Sequence, residues 1–208
     1  MKISYYILIG FGIILLMFSI TTYYNIHLSR AVAENSAFQT RSSNIIRNTS
    51  RFQRNILTMV NGLRGYLLSG ERSFVRDYDS ANLENELILL ELSELLTDSG
   101  QSRLLEEIKT LNDQWTKEYT DPIRNAKMMS KVSDSSLAVY NTIYREKIAS
   151  GGEARLQNAL TQKFRDFSAS EYELRELNRT ILSNRVAMTT KLSVFFMILS
   201  VLFAIAII

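Results

Sequence analysis

The chain has 208 residues, 46% hydrophobic and 22% charged, with a formal net charge of +3, one histidine and no cysteine. No disulfide framework is available, and with His27 as the single histidine no histidine-based metal site or serine triad can be assembled within it. Lys and Arg are scattered among Asp and Glu, which argues against a nucleic-acid stripe, and nothing in the composition calls for a cofactor.

From Ile3 to Tyr24 no residue is charged. At ~1.5 Å rise per residue such a run crosses a ~30 Å hydrocarbon core. A cleavable signal peptide has a shorter apolar stretch and an early small-x-small site, whereas Ala31 and Ala33 come late. Tyr5 with Tyr6 and Tyr23 with Tyr24 match the aromatic belts of a retained span. A second uncharged run begins at Leu192 and reaches Ile208 without the basic flank that usually closes a span, so it reads as a truncated transmembrane helix.

Neither Gly nor Pro occurs from Ile13 to Asn61 or from Glu153 onward, so two long helices are expected to run from membrane into domain. In the first, Ile45, Phe52, Met59 and Tyr66 recur every seven residues, with Thr49, Ile56 and Leu63 interleaved. In the last, Leu160, Phe167, Leu174 and Ile181 repeat at seven, and Met188, Phe195 and Leu202 continue that phase. Between them, Leu68-Ser69-Gly70 closes the first helix and Ser73 is the expected N-cap of a second helix to about Thr97. Asp98-Ser99-Gly100 is the next expected turn. A third helix opens near Ser102 with Leu104, Ile108, Leu111 and Trp115 as its buried stripe and Asn112 outward.

Chain leaving the membrane must balance chain returning to it, so a break is expected over Pro122 to Ser136, leaving Leu137 to Ala149 as a short accessory helix before Gly151-Gly152. The expected fold is all-α: an antiparallel four-helix bundle flanked by two transmembrane helices. The segments are residues 1–24 and 192–208 for the spans and 25–191 for the domain.

Gly65 to Arg72 has the spacing of a phosphate-binding loop but lacks its lysine and a preceding strand, and Asp77, Asp79 and Asn82 lack the turn glycine of a calcium loop. The triplets at Asn48 and Asn178 fit a glycosylation pattern but fall within helices. Helix phase puts Glu171 and Asn178 on the stripe that begins at Phe164, Glu118 on that of the third helix, and Arg64 beside Leu63. Buried carboxylates need partners, so a contact from Arg64 to Glu118 or Glu171 is expected, serving helix register or a ligand. Arg47, Arg51 and Arg54 form a basic strip, either a solvated face or one that meets an anionic group.

The stretch Arg64-Gly65-Tyr66-Leu67-Leu68-Ser69-Gly70, followed by Glu71, Phe74 and Tyr78, resembles the signature of the type 3 CHASE domain. The likeness continues through Trp115, Glu118, Pro122, Gly151-Gly152, Phe167 and Glu171; the polar stretch Lys131 to Ser136 departs from it. The resemblance implies an extracytoplasmic helical sensor between two spans of a bacterial inner-membrane receptor, homodimeric, non-enzymatic in this segment, and responsive to a small-molecule or protein stimulus. It also implies a cytoplasmic output part, most often a two-component histidine kinase and less often a cyclase. A chemoreceptor input domain and a non-signalling membrane-anchored scaffold are the alternatives. The amino terminus is expected inside and the bundle outside.

Overall fold

A computed structural model describes the backbone of residues 2–207 and the side chains of residues 8–203 and 205. The aromatic pair Tyr5 and Tyr6 and the terminal Ile208 lie outside the described side chains. Every regular element among the described residues is helical.

Helix α1 (Lys2–Ser69) ends on Gly70, whose φ of 74° is the left-handed conformation that glycine adopts without a Cβ penalty. The Gly70 amide donates to the Tyr66 carbonyl at 2.8 Å and closes the helix. Helix α2 (Arg72–Leu95) starts after Glu71, not after Ser73, and stops two residues before Thr97. Asp98 caps helix α3 (Ser99–Gln114) by accepting from the Gln101 amide at 2.9 Å, so Ser99 and Gly100 belong to the helix instead of a turn.

Pro122 does not break the chain. Between α3 and helix α4 (Asp121–Met129) runs a wide π-helical turn, Trp115–Thr120, in which the Asp121 amide donates to the Thr116 carbonyl five residues back. A proline ring clashes with the preceding helical turn and lacks an amide donor; entering at the first turn of α4, directly after a widened one, it avoids both problems. The break falls just after Met129, within the expected stretch from Pro122 to Ser136, and Ser133 caps helix α5 (Asp134–Tyr144) through the Ser136 amide at 3.1 Å. A second π turn, Arg145–Ala149, and Gly151 with φ of 75° lead into helix α6 (Gly152–Ile207).

The chain divides into two compact units, Arg41–Glu173 and Met1–Thr40 with Leu174–Ile208. In the first, α1, α2, α3 continued by α4, and α6 form a four-helix bundle. All seven seam residues of α1 from Ile45 to Tyr66 are buried, and Phe52 meets Phe164 of α6 with ring centroids 4.5 Å apart. Thr49 is tolerated on the seam because its hydroxyl donates to the Ile45 carbonyl at 2.8 Å. Ile88, Leu92, Leu105, Ile108, Trp115, Ile123, Leu160 and Phe167 belong to the same core. Each such side chain contributes about 1.5–3 kcal/mol by leaving water. Helix α5 buries no residue fully and lies on the outside, its Tyr140 and Ile143 packed against the core.

The α3 stripe is centred one residue later than its leucines suggest. Gln101, Leu105, Ile108, Asn112 and Trp115 are buried, while Leu104 and Leu111 are half-buried. Asn112 is therefore a core residue, 3% exposed, and not an outward one.

In the second unit the Arg175 guanidinium donates to Gln39 at 2.9 Å, and Met17 is buried. Here the half-buried α6 positions include Arg175, Asn178, Leu182, Thr189, Leu192, Phe196, Leu199 and Phe203, whereas Ile181, Met188, Phe195 and Leu202 are exposed. The seven-residue phase expected to continue from Leu160 and Phe167 is thus replaced. Leu174 keeps the expected phase and is half-buried beside Arg175; beyond it the half-buried positions lie one residue after those expected. Among the described residues two helices carry windows apolar enough to cross a membrane, with mean hydropathy of 1.6 and 2.0. Only 11% and 0% of those windows is buried, which separates them from the core helix of a globular bundle.

Candidate sensory site

The hairpin of α1 and α2 is set by two glycines. A Cβ at Gly62 would lie 2.8 Å from the Phe74 carbonyl oxygen, and one at Gly65 2.5 Å from the Phe74 ring. Their absence of side chains lets α2 press Phe74 and Tyr78 onto α1. Tyr66 and Leu67 are buried beside them, while Leu68 is exposed.

Tyr78 lies inside the bundle, 2% exposed, hydrogen-bonded to Thr120 of the π turn. Burial pushes its phenol up to about 12, with the Thr120 bond pulling the other way. The Arg124 guanidinium stands 5.1 Å from the Tyr78 ring centroid and pairs with Asp79 and Asp121. This ties the start of α4 to α2.

The expected contact from Arg64 to Glu118 or Glu171 does not form. Arg64 follows the buried Leu63 by one residue, about 100° around the helix, and points outward. Glu118 is also exposed and accepts from Gln114 one turn back at 3.3 Å. Glu171 is buried at 2% exposure, and its partner is the Gln101 amide of α3. Asn178, in the other unit, is half-buried and donates to the Leu174 carbonyl at 2.9 Å. The structure therefore brings none of these four positions together.

Further polar contacts, one buried and one half-buried, are not evident from helix phase. Trp115 is fully buried with its indole N–H donating to Glu153 at 3.1 Å, and Asn48 donates to Glu91 at 2.9 Å. The position of Gln101 on the four-three spacing of Leu105, Ile108 and Trp115 was the signal for the Glu171 partner. The basic strip splits: Arg51 pairs with Glu84 at 2.7 Å, and that hydrogen bond holds the Glu84 carboxyl below its usual range, while Arg47 and Arg54 face outward. On the opposite side Lys163 of α6 binds Glu107 of α3 at 2.6 Å, lowering the carboxyl and raising the ammonium.

Cavities open on the bundle between its helices. One of about 420 Å³ between α2 and α3 is lined by Leu89, Leu105, Lys109 and Asn112, whose Oδ1 has no hydrogen-bond partner. Another of about 440 Å³ adjoins the α1–α2 hairpin, lined by Tyr66, Arg72, Val75, Arg76, Asp79, Arg124, Asn125 and Met128. Among the described residues no group of three or more His, Cys, Asp or Glu is placed to hold a metal ion.

The model of the CHASE3 domain matches residues 36–180, well over half of the chain. The protein belongs to the CHASE3 domain family. The matched span holds the hairpin motif Arg64 to Gly70, Trp115, Pro122 and Glu171. CHASE3 domains are extracytoplasmic, sensory and non-catalytic, so this segment is a sensor module. No curated protein and no solved structure matched the chain.

Proposed function

We propose that the chain is the signal-input module of a two-span bacterial receptor of the inner membrane, with residues 1–24 and 192–208 as spans and 25–191 as the extracytoplasmic domain. The observation that carries this reading is the CHASE3 match over residues 36–180 bracketed by two exposed apolar helix windows. The amino terminus lies in the cytoplasm, the receptor works as a homodimer, and the stimulus alters packing among the bundle helices. Helix α6 passes that change to an output part, a two-component histidine kinase. Nothing in this segment performs catalysis on that reading.

The coding sequence that follows Ile208 tests it. A phosphoacceptor-histidine helix followed by an ATP-binding domain is the expected result. An immediate stop codon contradicts the receptor and leaves a membrane-anchored scaffold.

A further inference from the structure

The cavity at the α1–α2 hairpin is lined by several donors that make no bond within the protein. Tyr66 is 8% exposed, and its hydroxyl has no hydrogen-bond partner although the residue lines the cavity. Arg72 and Arg76 sit one turn apart on α2 and make no ion pair, and the Asn125 side chain is likewise unengaged. Like charges four residues apart on a helix repel, and no acidic residue in the first turn of α2 offsets them. The N-cap, Glu71, makes no side-chain bond to the free amides there, its carboxylate accepting instead from the Ser73 hydroxyl at 3.5 Å. The one carboxylate in the lining, Asp79, is already held by Arg124, which also reaches Asp121 at 3.1 Å. Arg124 is thus matched by two carboxylates, and Arg72 and Arg76 line the space with no carboxylate partner of their own.

From these contacts we infer that the hairpin cavity binds a small organic carboxylate with an apolar body, an assignment that rests on the sensory reading above. Guanidinium groups take a carboxylate in paired, charge-assisted hydrogen bonds, and the Tyr66 hydroxyl supplies a further neutral donor. Val75, Met128 and the Tyr66 ring give the cavity apolar walls that an inorganic anion would leave unfilled. Its volume, about 440 Å³, falls within the range of small-molecule sites. Arg124 connects the cavity to the Tyr78 and Thr120 contact at the π turn, so an anion that draws on Arg124 also acts on the helix packing beneath.

Calorimetric titration of the whole chain in lipid nanodiscs with monocarboxylates from butanoate to phenylpropanoate tests the assignment, with benzylammonium and inorganic phosphate as comparison probes. At least one carboxylate is expected to bind at millimolar concentration or below, benzylammonium not at all, and phosphate at least ~10-fold more weakly. The exposed double variant Arg72→Met with Arg76→Met should weaken carboxylate binding at least ~10-fold with an unchanged thermal midpoint, and Tyr66→Phe by a few-fold. No heat from any carboxylate, equal binding by the double variant, or equal binding of benzylammonium overturns the site. Phosphate binding as tightly as the best carboxylate overturns the apolar body. Absence of binding in a receptor whose output still follows the helical phase of α6 removes the ligand and leaves the sensor; loss of both removes the sensory reading as well.

Discussion

Gln101 and Glu171, seventy positions apart, meet inside the bundle, where the amide of one donates to the carboxylate of the other. Both are nearly fully buried, so the pair ties α3 to α6 at the end of the bundle core. Gln101→Leu would leave a buried carboxylate unpartnered and should lower stability by about 3 kcal/mol. Glu176→Gln and Arg64→Met, both outward, should stay within ~0.5 kcal/mol. Thermal midpoints of the three variants check this, and equal midpoints would remove the buried pair from the account.

Close approach at the hairpin gives a second expectation. Gly62→Ala brings a methyl group to within 2.8 Å of the Phe74 carbonyl oxygen, a backbone atom that shifts only with α2 as a whole. The expected loss is about 2 kcal/mol, as for overpacking in other cores. Urea unfolding of the variant measures it, and an unchanged midpoint would mean that α2 lies farther from α1 than described.

The buried phenol of Tyr78 sets the response to base. Its folded value of about 12 lies above the ordinary 10.0, so the contribution to stability is full below pH 10 and falls away as pH rises toward 12. Tyr78→Phe should be less stable near neutral pH by about 1 kcal/mol through loss of the Thr120 bond. It should also lose less stability than the parent between pH 10 and 12. Parallel slopes of urea midpoint against pH would contradict the burial of this phenol as the cause.

The α1 seam was legible because every residue of its period is either apolar or, like Thr49, able to satisfy itself within the helix. The hairpin at Gly70 was legible for the same local reason. Pro122 misled because a proline forbids an ordinary helical turn, and the π turn that precedes it leaves no mark in apolar spacing. The α3 stripe misled because Gln101 and Asn112 occupy seam positions that polar residues do not advertise. The phase of α6 could not be read past Leu174 because apolar residues fill both faces of a membrane-competent helix, so Ile181 and Leu182 look equally suited to a seam. The CHASE3 resemblance, carried by the motif Arg64 to Gly70 and by Trp115, does not depend on these local features.

Membrane topology is open to a direct chemical test, because the chain has no native cysteine. Thr97→Cys places a single thiol in the exposed α2–α3 turn, a better site than the buried Asn112. An impermeant maleimide should label it in intact spheroplasts. Labelling only after lysis would put the bundle in the cytoplasm.

Helical phase in α6 carries the central claim, that this module drives an output through its last helix. One alanine inserted after Asn184, between the seam positions Leu182 and Thr189, turns the following helix by about 100°, whereas seven nearly restore phase. Autophosphorylation of the parent receptor in membranes is the measurement. The account predicts altered output after the single insertion and near-parental output after seven; parental output after both would contradict it.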